Sequence, residues 1–295
     1  MSDEDNQNPL HTMDFPSLDL GHAACSQRTV DLGDMEVYVY GLDEISNSNK
    51  DIAAVASQMS NMAHGLIGEI RRFPAERDVI VLTLDQRGHG KRRDKDKPDP
   101  LWWYDNPGVL VNMITFLQGA VQDHKLIIDN IEQYLFPHGE RRITEWMMCG
   151  VSLGGHVNWR MLLEEPRVRV AIPIASVPSD ALHKLQIGRF VQEHALGTEV
   201  HYPPATQRYY NTPVPEGTYV GKKILAINGM GDDLCPPELG DPEWGRVVAE
   251  AGPGNAVRVT VQDVGHIVTP PMVRKSAEWL YRWGVRGVGE DTARL

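Results

Sequence analysis

The sequence predicts an α/β fold, with one mostly parallel central sheet of about eight strands and helices on both faces. Three observations lead to this prediction. Short apolar runs rich in β-branched residues recur along the chain, longer segments with helical spacing alternate with them, and an antiparallel-looking strand pair comes first. The 295 residues, of which 41% are hydrophobic and 23% charged, suit one large domain with a substantial core.

The first half of the chain supplies four predicted strands and a long helix. Val37 and Val39 alternate with more polar neighbours in the second strand, which is typical of a half-buried strand. The helix covers about 108–135, where apolar residues recur three, four or seven positions apart. In chain order, the predicted strands read SQRTVDLG, DMEVYVYG, IAAVAS (52–57) and DVIVLTLD (78–85).

The second half continues the alternation. Its predicted helices cover 156–165, 240–252 and 271–283, and the last begins at a proline pair, as helices often do. The predicted strands are EWMMCGV (145–151), VRVAIPIAS (168–176), KKILAING (222–229) and NAVRVTVQDV (255–264).

Two segments interrupt this pattern and define the expected domain organisation. Residues 1–24 are polar, acidic and aperiodic, which predicts a flexible N-terminal arm ahead of a single domain over 25–295. Residues 177–221 separate two strands, and their later half is rich in proline and tyrosine. Long insertions of this kind are usually functional, so we expect a short cap over a site.

The stretch MMCGVSLGGH places Ser152 where a buried strand turns into a helix. Ligands of parallel sheets collect at the carboxyl ends of the strands, and the helix N-terminus favours developing negative charge. The glycines at 150 and 154 leave room for a tight turn. Ser152 is therefore a candidate nucleophile, and the backbone N–H of Leu153 is a candidate donor to an oxyanion.

A serine hydroxyl needs an adjacent base. Of the 11 histidines, one stands directly after a predicted strand, at the place where such a base is expected. His266 follows the last predicted strand, and Asp232 follows the preceding one, so both should emerge at the same sheet edge as Ser152. Asp233 is an alternative acid. The order serine, acid, histidine resembles that of the α/β-hydrolase superfamily, over about residues 28–285. DQRGHG (85–90), GMGDDLCP (229–236) and VGH (264–266) also resemble motifs of that superfamily.

The resemblance implies a metal-free serine hydrolase in which Ser152 is the nucleophile, His266 the general base and acid, and Asp232 the residue that orients it. Many members have a His-Gly pair directly after the third strand, where a backbone N–H completes the oxyanion hole. Here His64-Gly65 comes several residues late. Either the strand runs further, or Gln58 or Met59 supplies the donor, and Met59 is the preferred residue.

The expected substrate is a small hydrophobic carboxylic ester or thioester, bound near aromatic residues. Trp102, Trp103 and the cap residue Tyr209 are candidates to line its pocket, although each could instead pin its loop to the domain. Carbon–carbon hydrolysis or cyclisation, acyl transfer, peptidase or amidase activity, and a non-catalytic ligand-binding role are the alternatives. Turnover of an ester would distinguish a hydrolase from a non-catalytic ligand-binding protein.

Composition limits the partners and the location. The net charge of −11 argues against nucleic acid, the three cysteines form no disulfide or metal-ligand pattern, and no phosphate-binding loop implies a cofactor. No apolar run reaches the roughly 18 residues of a membrane span. The acidic start lacks the layout of a secretory signal, so the cytoplasm is the expected location. The final predicted helix, with Trp279, Tyr281 and Trp283, offers a surface for a homodimer.

Overall fold

The computed structural model describes residues 17–94, 96, 106–188 and 200–287. Within them, eight strands form one sheet in the order β1-β2-β4-β3-β5-β6-β7-β8. β1 is antiparallel to β2 and β2 to β4, whereas the remaining pairs are parallel, which confirms the predicted fold class. The strands are β1 Gln27–Asp31, β2 Glu36–Tyr40, β3 Ile52–Ser57, β4 Asp78–Thr83, β5 Ile143–Val151, β6 Val168–Ile174, β7 Lys223–Gly229 and β8 Ala256–Val261.

The centre of the sheet is buried on both faces. All six residues of β3, which lies between β4 and β5, are buried, as expected for a parallel strand covered by helices on both sides. Ala53 and Val55 belong to one hydrophobic cluster, whereas Ala54 and Ala56 belong to the other. This alternation explains why the strand reads as a continuous apolar run in the sequence.

Helices cover the two faces as separate layers. α2, α3 and α6 contribute their buried side chains to one hydrophobic cluster, and α1 and α7 contribute theirs to the other. The helices are α1 Ser60–Ile70, α2 Val109–Leu135, α3 Leu153–Glu164, α4 Leu182–Ile187, α5 Pro204–Asn211, α6 Asp241–Ala251 and α7 Pro270–Leu280, the last followed by a π-helical turn over Tyr281–Val285. Among the described residues, no helix has both the length and the apolar character needed to cross a bilayer.

α1 is a helix that the sequence pattern did not predict, because two glycines interrupt its periodicity. The structure explains both glycines. A Cβ on Gly65 would overlap the carbonyl of Leu18, and one on Gly68 would overlap the ring of His22. The described residues at the end of the predicted flexible arm therefore pack closely on α1, where Leu18 is 1% exposed. Burial of Leu18 and the 2.9 Å hydrogen bond between His22 Nε2 and Glu69 hold this part of the arm on the domain.

The predicted cap region lies between β6 and β7 and contains α4 and α5. Aromatic residues attach its described part to the helices below. The Tyr210 hydroxyl donates to the Leu110 carbonyl of α2 at 3.3 Å. The buried Tyr219 ring packs edge-on against Trp159 of α3, with 6.1 Å between the ring centroids. The tyrosines at 210 and 219 thus join the insertion to the core of the domain.

Candidate active site

Ser152 lies at the turn between β5 and α3, in a strained backbone conformation. Its φ of 55° and ψ of −117° are rare for a residue with a side chain, and such geometry costs about 1–3 kcal/mol unless its surroundings enforce it. The neighbouring glycines make the turn possible, because a Cβ on Gly150 would collide with the carbonyl of Gly154. The turn holds the serine at the N-terminus of α3, where the helix dipole favours negative charge.

Three side chains from separate loops form a continuous hydrogen-bonded chain. His266 Nδ1 lies 2.9 Å from both carboxylate oxygens of Asp232, and His266 Nε2 lies 2.7 Å from Ser152 Oγ. An ionised carboxylate only accepts hydrogen bonds, so the histidine proton belongs on Nδ1 in the neutral ring. Nε2 is then left as the acceptor for the Ser152 hydroxyl. The three residues that the sequence selected are therefore in contact, in an arrangement suited to proton transfer.

Backbone hydrogen bonds and burial fix the position of Asp232 in addition to its contact with His266. Its side chain is fully buried, and its Oδ1 also accepts the backbone N–H groups of Leu234 at 3.0 Å and Cys235 at 2.7 Å. Asp233, the alternative acid, is exposed. Of the two neighbouring carboxylates, Asp232 is the one in contact with the histidine.

The loops after β7 and β8 support each other and so bring the acid and the histidine together. Gly231 donates its N–H to the Val264 carbonyl at 2.9 Å. A Cβ on Gly229 would overlap the same carbonyl. The backbones of the two loops therefore approach more closely than a side chain at position 229 would permit.

The region expected to hold an oxyanion lies between the end of β3 and the start of α3. β3 ends at Ser57, so the strand runs no further than the sequence suggests, and His64-Gly65 lies inside α1. Leu153 is the first residue of α3, directly after the serine. The Met59 N–H donates to Ser57 Oγ at 3.1 Å, and the Gln58 Nε2 donates to the Val151 carbonyl at 3.0 Å. The contact of Gln58 with the turn was not predicted.

Of the three predicted pocket residues, the structure describes Tyr209 alone. Trp102 and Trp103 lie outside the described residues. Tyr209 of α5 has the guanidinium of Arg160 5.1 Å from its ring centroid and packs edge-on against Tyr210. Arg160 is eight residues beyond Ser152, which corresponds to about 12 Å along α3. Tyr209 therefore packs α5 against the middle of α3, and its place in a substrate pocket stays a prediction.

Two cysteines, Cys149 and Cys235, lie in the elements that carry Ser152 and Asp232. Burial raises the pKa of the Cys149 thiol to about 12, so Cys149 is not a thiolate nucleophile at neutral pH. Cys235, in the same loop as Asp232, has its Sγ 3.8 Å from Nε2 of the buried His156. Within the part of the chain that the structure describes, no group of three or more His, Cys, Asp or Glu side chains could hold a metal ion.

Comparison with known proteins gives structural relatives only. No family model matches the chain, and no curated protein is significantly similar to it in sequence. Among solved structures, it is similar to TT1662 from Thermus thermophilus, with a TM-score of 0.65 and 19% identity over 88% of this chain and 98% of that one. It also resembles the acylaminoacyl peptidase of Pyrococcus horikoshii, with a TM-score of 0.58 and 14% identity over 92% of this chain but 43% of the peptidase.

A third relative is of similar size to this chain. Est1E from Butyrivibrio proteoclasticus, solved with ferulic acid, has a TM-score of 0.53 and 14% identity, over 85% of this chain and 96% of its own. At these identities the similarity concerns the fold. The sheet order, the two helical layers and these relatives together show that the chain has the α/β-hydrolase fold.

Proposed function

We propose that the protein is a serine hydrolase that cleaves a carboxylic ester, or a thioester, of a small hydrophobic substrate through an acyl-enzyme on Ser152. The observation that carries this proposal is the hydrogen-bonded chain from Ser152 through His266 to Asp232. An unactivated serine hydroxyl is a poor nucleophile, and a neutral imidazole 2.7 Å away is the kind of base that activates it.

In the acylation step, Ser152 Oγ attacks the carbonyl carbon of the ester while its proton passes to His266 Nε2. Asp232 remains ionised and stabilises the imidazolium that forms. Collapse of the tetrahedral intermediate breaks the bond to the alcohol oxygen, which takes the proton back from His266. A water molecule then attacks the acyl-enzyme by the same route, releasing the acid and restoring the serine.

The tetrahedral intermediate carries a negative charge on the former carbonyl oxygen. We assign its stabilisation to the backbone N–H groups of Leu153 and Met59, in keeping with their positions after β5 and β3. The Met59 N–H would have to share its hydrogen between Ser57 Oγ and the oxyanion. One such donor contributes about 3–4 kcal/mol to transition-state stabilisation, so both donors matter for efficient acyl transfer.

Two of the structural relatives support acyl chemistry of this general kind. Est1E was solved with ferulic acid, a carboxylic acid, and spans nearly the same length as this chain. The Pyrococcus protein is named a peptidase, but this chain corresponds to less than half of it. We therefore favour a small ester over a peptide substrate.

The first experiment is intact-mass analysis after treatment with a fluorophosphonate probe, which phosphonylates activated serines without requiring the natural substrate. The wild type and Ser152→Ala are compared, and hydrolysis of p-nitrophenyl acetate and butyrate is measured in parallel. We expect one adduct on the wild type, none on the variant, and ester hydrolysis that depends on Ser152. A folded wild type that forms no adduct and hydrolyses neither ester would contradict the proposal and favour a ligand-binding role.

A further inference from the structure

Gln58 connects the end of β3 to the nucleophile turn. It is the first residue after the strand, and its side chain crosses to the adjacent β5, where Nε2 donates to the Val151 carbonyl at 3.0 Å. β3 and β5 are neighbours in the sheet, and their paired residues end at Ala56 and Met148. The side chain of Gln58 therefore joins the two strand ends beyond the last backbone pair.

The hydrogen bond from Gln58 falls on the peptide that precedes the strained serine. The carbonyl of that peptide belongs to Val151, and its N–H belongs to Ser152 and donates to the Ile174 carbonyl of β6 at 2.9 Å. Both polar groups of the peptide are thus fixed from opposite sides, the carbonyl by the side chain of Gln58 and the N–H by the backbone of β6. A strained conformation persists only where its surroundings enforce it, and these two bonds do so at Ser152.

The side chain of Gln58 also occupies the space where a side chain at position 154 would lie. A Cβ on Gly154 would overlap the carboxamide of Gln58, with all three of its outer atoms in close approach. Gly154 is therefore needed to admit Gln58 as well as to form the turn. Gln58 also directly precedes Met59, which is the proposed second donor to the oxyanion.

We infer that Gln58 is a positioning residue for the nucleophile turn and the oxyanion-binding groups. This inference rests on the proposed hydrolase function. Gln58 acts through the Val151–Ser152 peptide, whereas His266 acts on the hydroxyl itself and Asp232 acts on His266. Its loss should therefore slow the chemical step more than it weakens substrate binding.

The decisive variant is Gln58→Leu, which keeps much of the side-chain volume but removes the donor. We expect kcat for p-nitrophenyl butyrate to fall by about tenfold to a hundredfold, because misplacement of a reacting group by about 1 Å has an effect of that size. KM should change by less than about threefold and the melting temperature by only a few degrees. The rate of fluorophosphonate labelling of Ser152 should fall in parallel with kcat.

A matched control is available in the cap. Gln207 of α5 makes the same kind of bond, from Nε2 to the Tyr202 carbonyl at 2.8 Å, but on an exposed surface. Gln207→Leu should leave both kcat and the labelling rate within about twofold of wild type, since it removes an equivalent bond away from the turn.

A double-mutant cycle tests the contact with Gly154 independently. Gly154→Ala should reduce kcat strongly when Gln58 is present, because the new methyl group displaces the carboxamide. In a Gln58→Ala background the carboxamide that the new methyl group would meet is gone, and the additional effect of the change should be several-fold smaller. Such non-additivity is expected only for residues in direct contact.

The outcomes separate this inference from the proposed function. A wild type that is neither labelled nor active would overturn the hydrolase proposal itself. A labelled, active wild type with an equally active Gln58→Leu variant would overturn only the role of Gln58. If Gln58→Leu fails to fold, Gln58→Met, whose unbranched chain is of similar length, replaces it. Failure of both to fold would show a general structural role and would also overturn the inference.

Discussion

His266 Nε2 and Ser152 Oγ lie 2.7 Å apart although 114 positions separate the two residues along the chain. Three parallel strands and the loops that follow them bring these atoms together, and Asp232 holds the opposite side of the imidazole. Neither side chain has much space to move, because the His266 side chain is only 8% exposed and the Asp232 side chain is fully buried. Substitutions at the triad should change the rate of ester hydrolysis, and substitutions in the core of the domain should change its stability.

Asp232 and Asp233 offer a matched pair of substitutions in one loop. Asp232→Asn should reduce kcat for an ester by about 10⁴-fold, since an amide can hold the histidine in the wrong tautomer and cannot stabilise the imidazolium. Asp233→Asn, at an exposed position, should leave kcat within about twofold of wild type. Steady-state kinetics on both variants would check this, and a larger loss from Asp233→Asn would mean that the acid is wrongly assigned.

Buried His124 should make the protein less stable in mild acid. Complete burial lowers the pKa of this imidazole below its usual value of 6.5, and Nε2 has no hydrogen-bond partner among the described residues. Below pH 6.5 the unfolded chain therefore binds a proton that the folded protein resists. The free energy of unfolding should fall by up to about 1.4 kcal/mol per pH unit, until the pH reaches the lowered pKa.

His124→Leu removes that proton-binding difference. Urea unfolding of the wild type and the variant between pH 5 and pH 8 should show a shallower loss of stability in acid for the variant. Identical slopes would mean that other groups determine the acid sensitivity of the fold.

Two helical glycines should respond to alanine in opposite directions. Gly65 of α1 lies against the Leu18 carbonyl, so Gly65→Ala should displace the N-terminal segment and reduce the free energy of unfolding by about 1–3 kcal/mol. Gly245 of α6 has open space where a Cβ would lie, so Gly245→Ala should increase stability by up to about 1 kcal/mol. Urea denaturation of both variants would measure the two effects, and a neutral Gly65→Ala would show that Leu18 does not pack as described.

The ion pairs of Asp123 should matter more than those at the surface. This buried carboxylate accepts from Arg87 at 2.9 and 3.2 Å and from Arg92 at 2.7 Å, next to the segment that follows β4. Asp123→Ala should cost about 1–3 kcal/mol in unfolding free energy, because it removes the buried carboxylate that accepts from the half-buried Arg92 and from the more exposed Arg87. Breaking the exposed Arg28–Asp43 pair by Asp43→Ala should cost less than about 1 kcal/mol. Equal losses in denaturation experiments would contradict the assigned burial.

Much of the fold could be predicted from the sequence because its signals are local. β-branched runs identify the buried strands, and the spacing of apolar residues identifies α2, α3, α6 and α7. α1 was not predicted, because Gly65 and Gly68 interrupt the apolar spacing that identifies a helix. Those glycines accommodate the backbone of Leu18 and the ring of His22, which are contacts between distant parts of the chain.

The sequence by itself determined the fold class and predicted Ser152, Asp232 and His266 as site residues, with Asp233 as the alternative acid, because the chain order of strand ends places those residues at one sheet edge. Only the tertiary structure decided that Asp232 rather than Asp233 contacts the histidine, that Tyr209 packs on Arg160, and that Gln58 supports the serine turn. Each of these contacts depends on which way a side chain points from one helix, strand or loop toward another. Periodicity along the chain carries no information about such directions, since they arise only when separate loops are packed against one another.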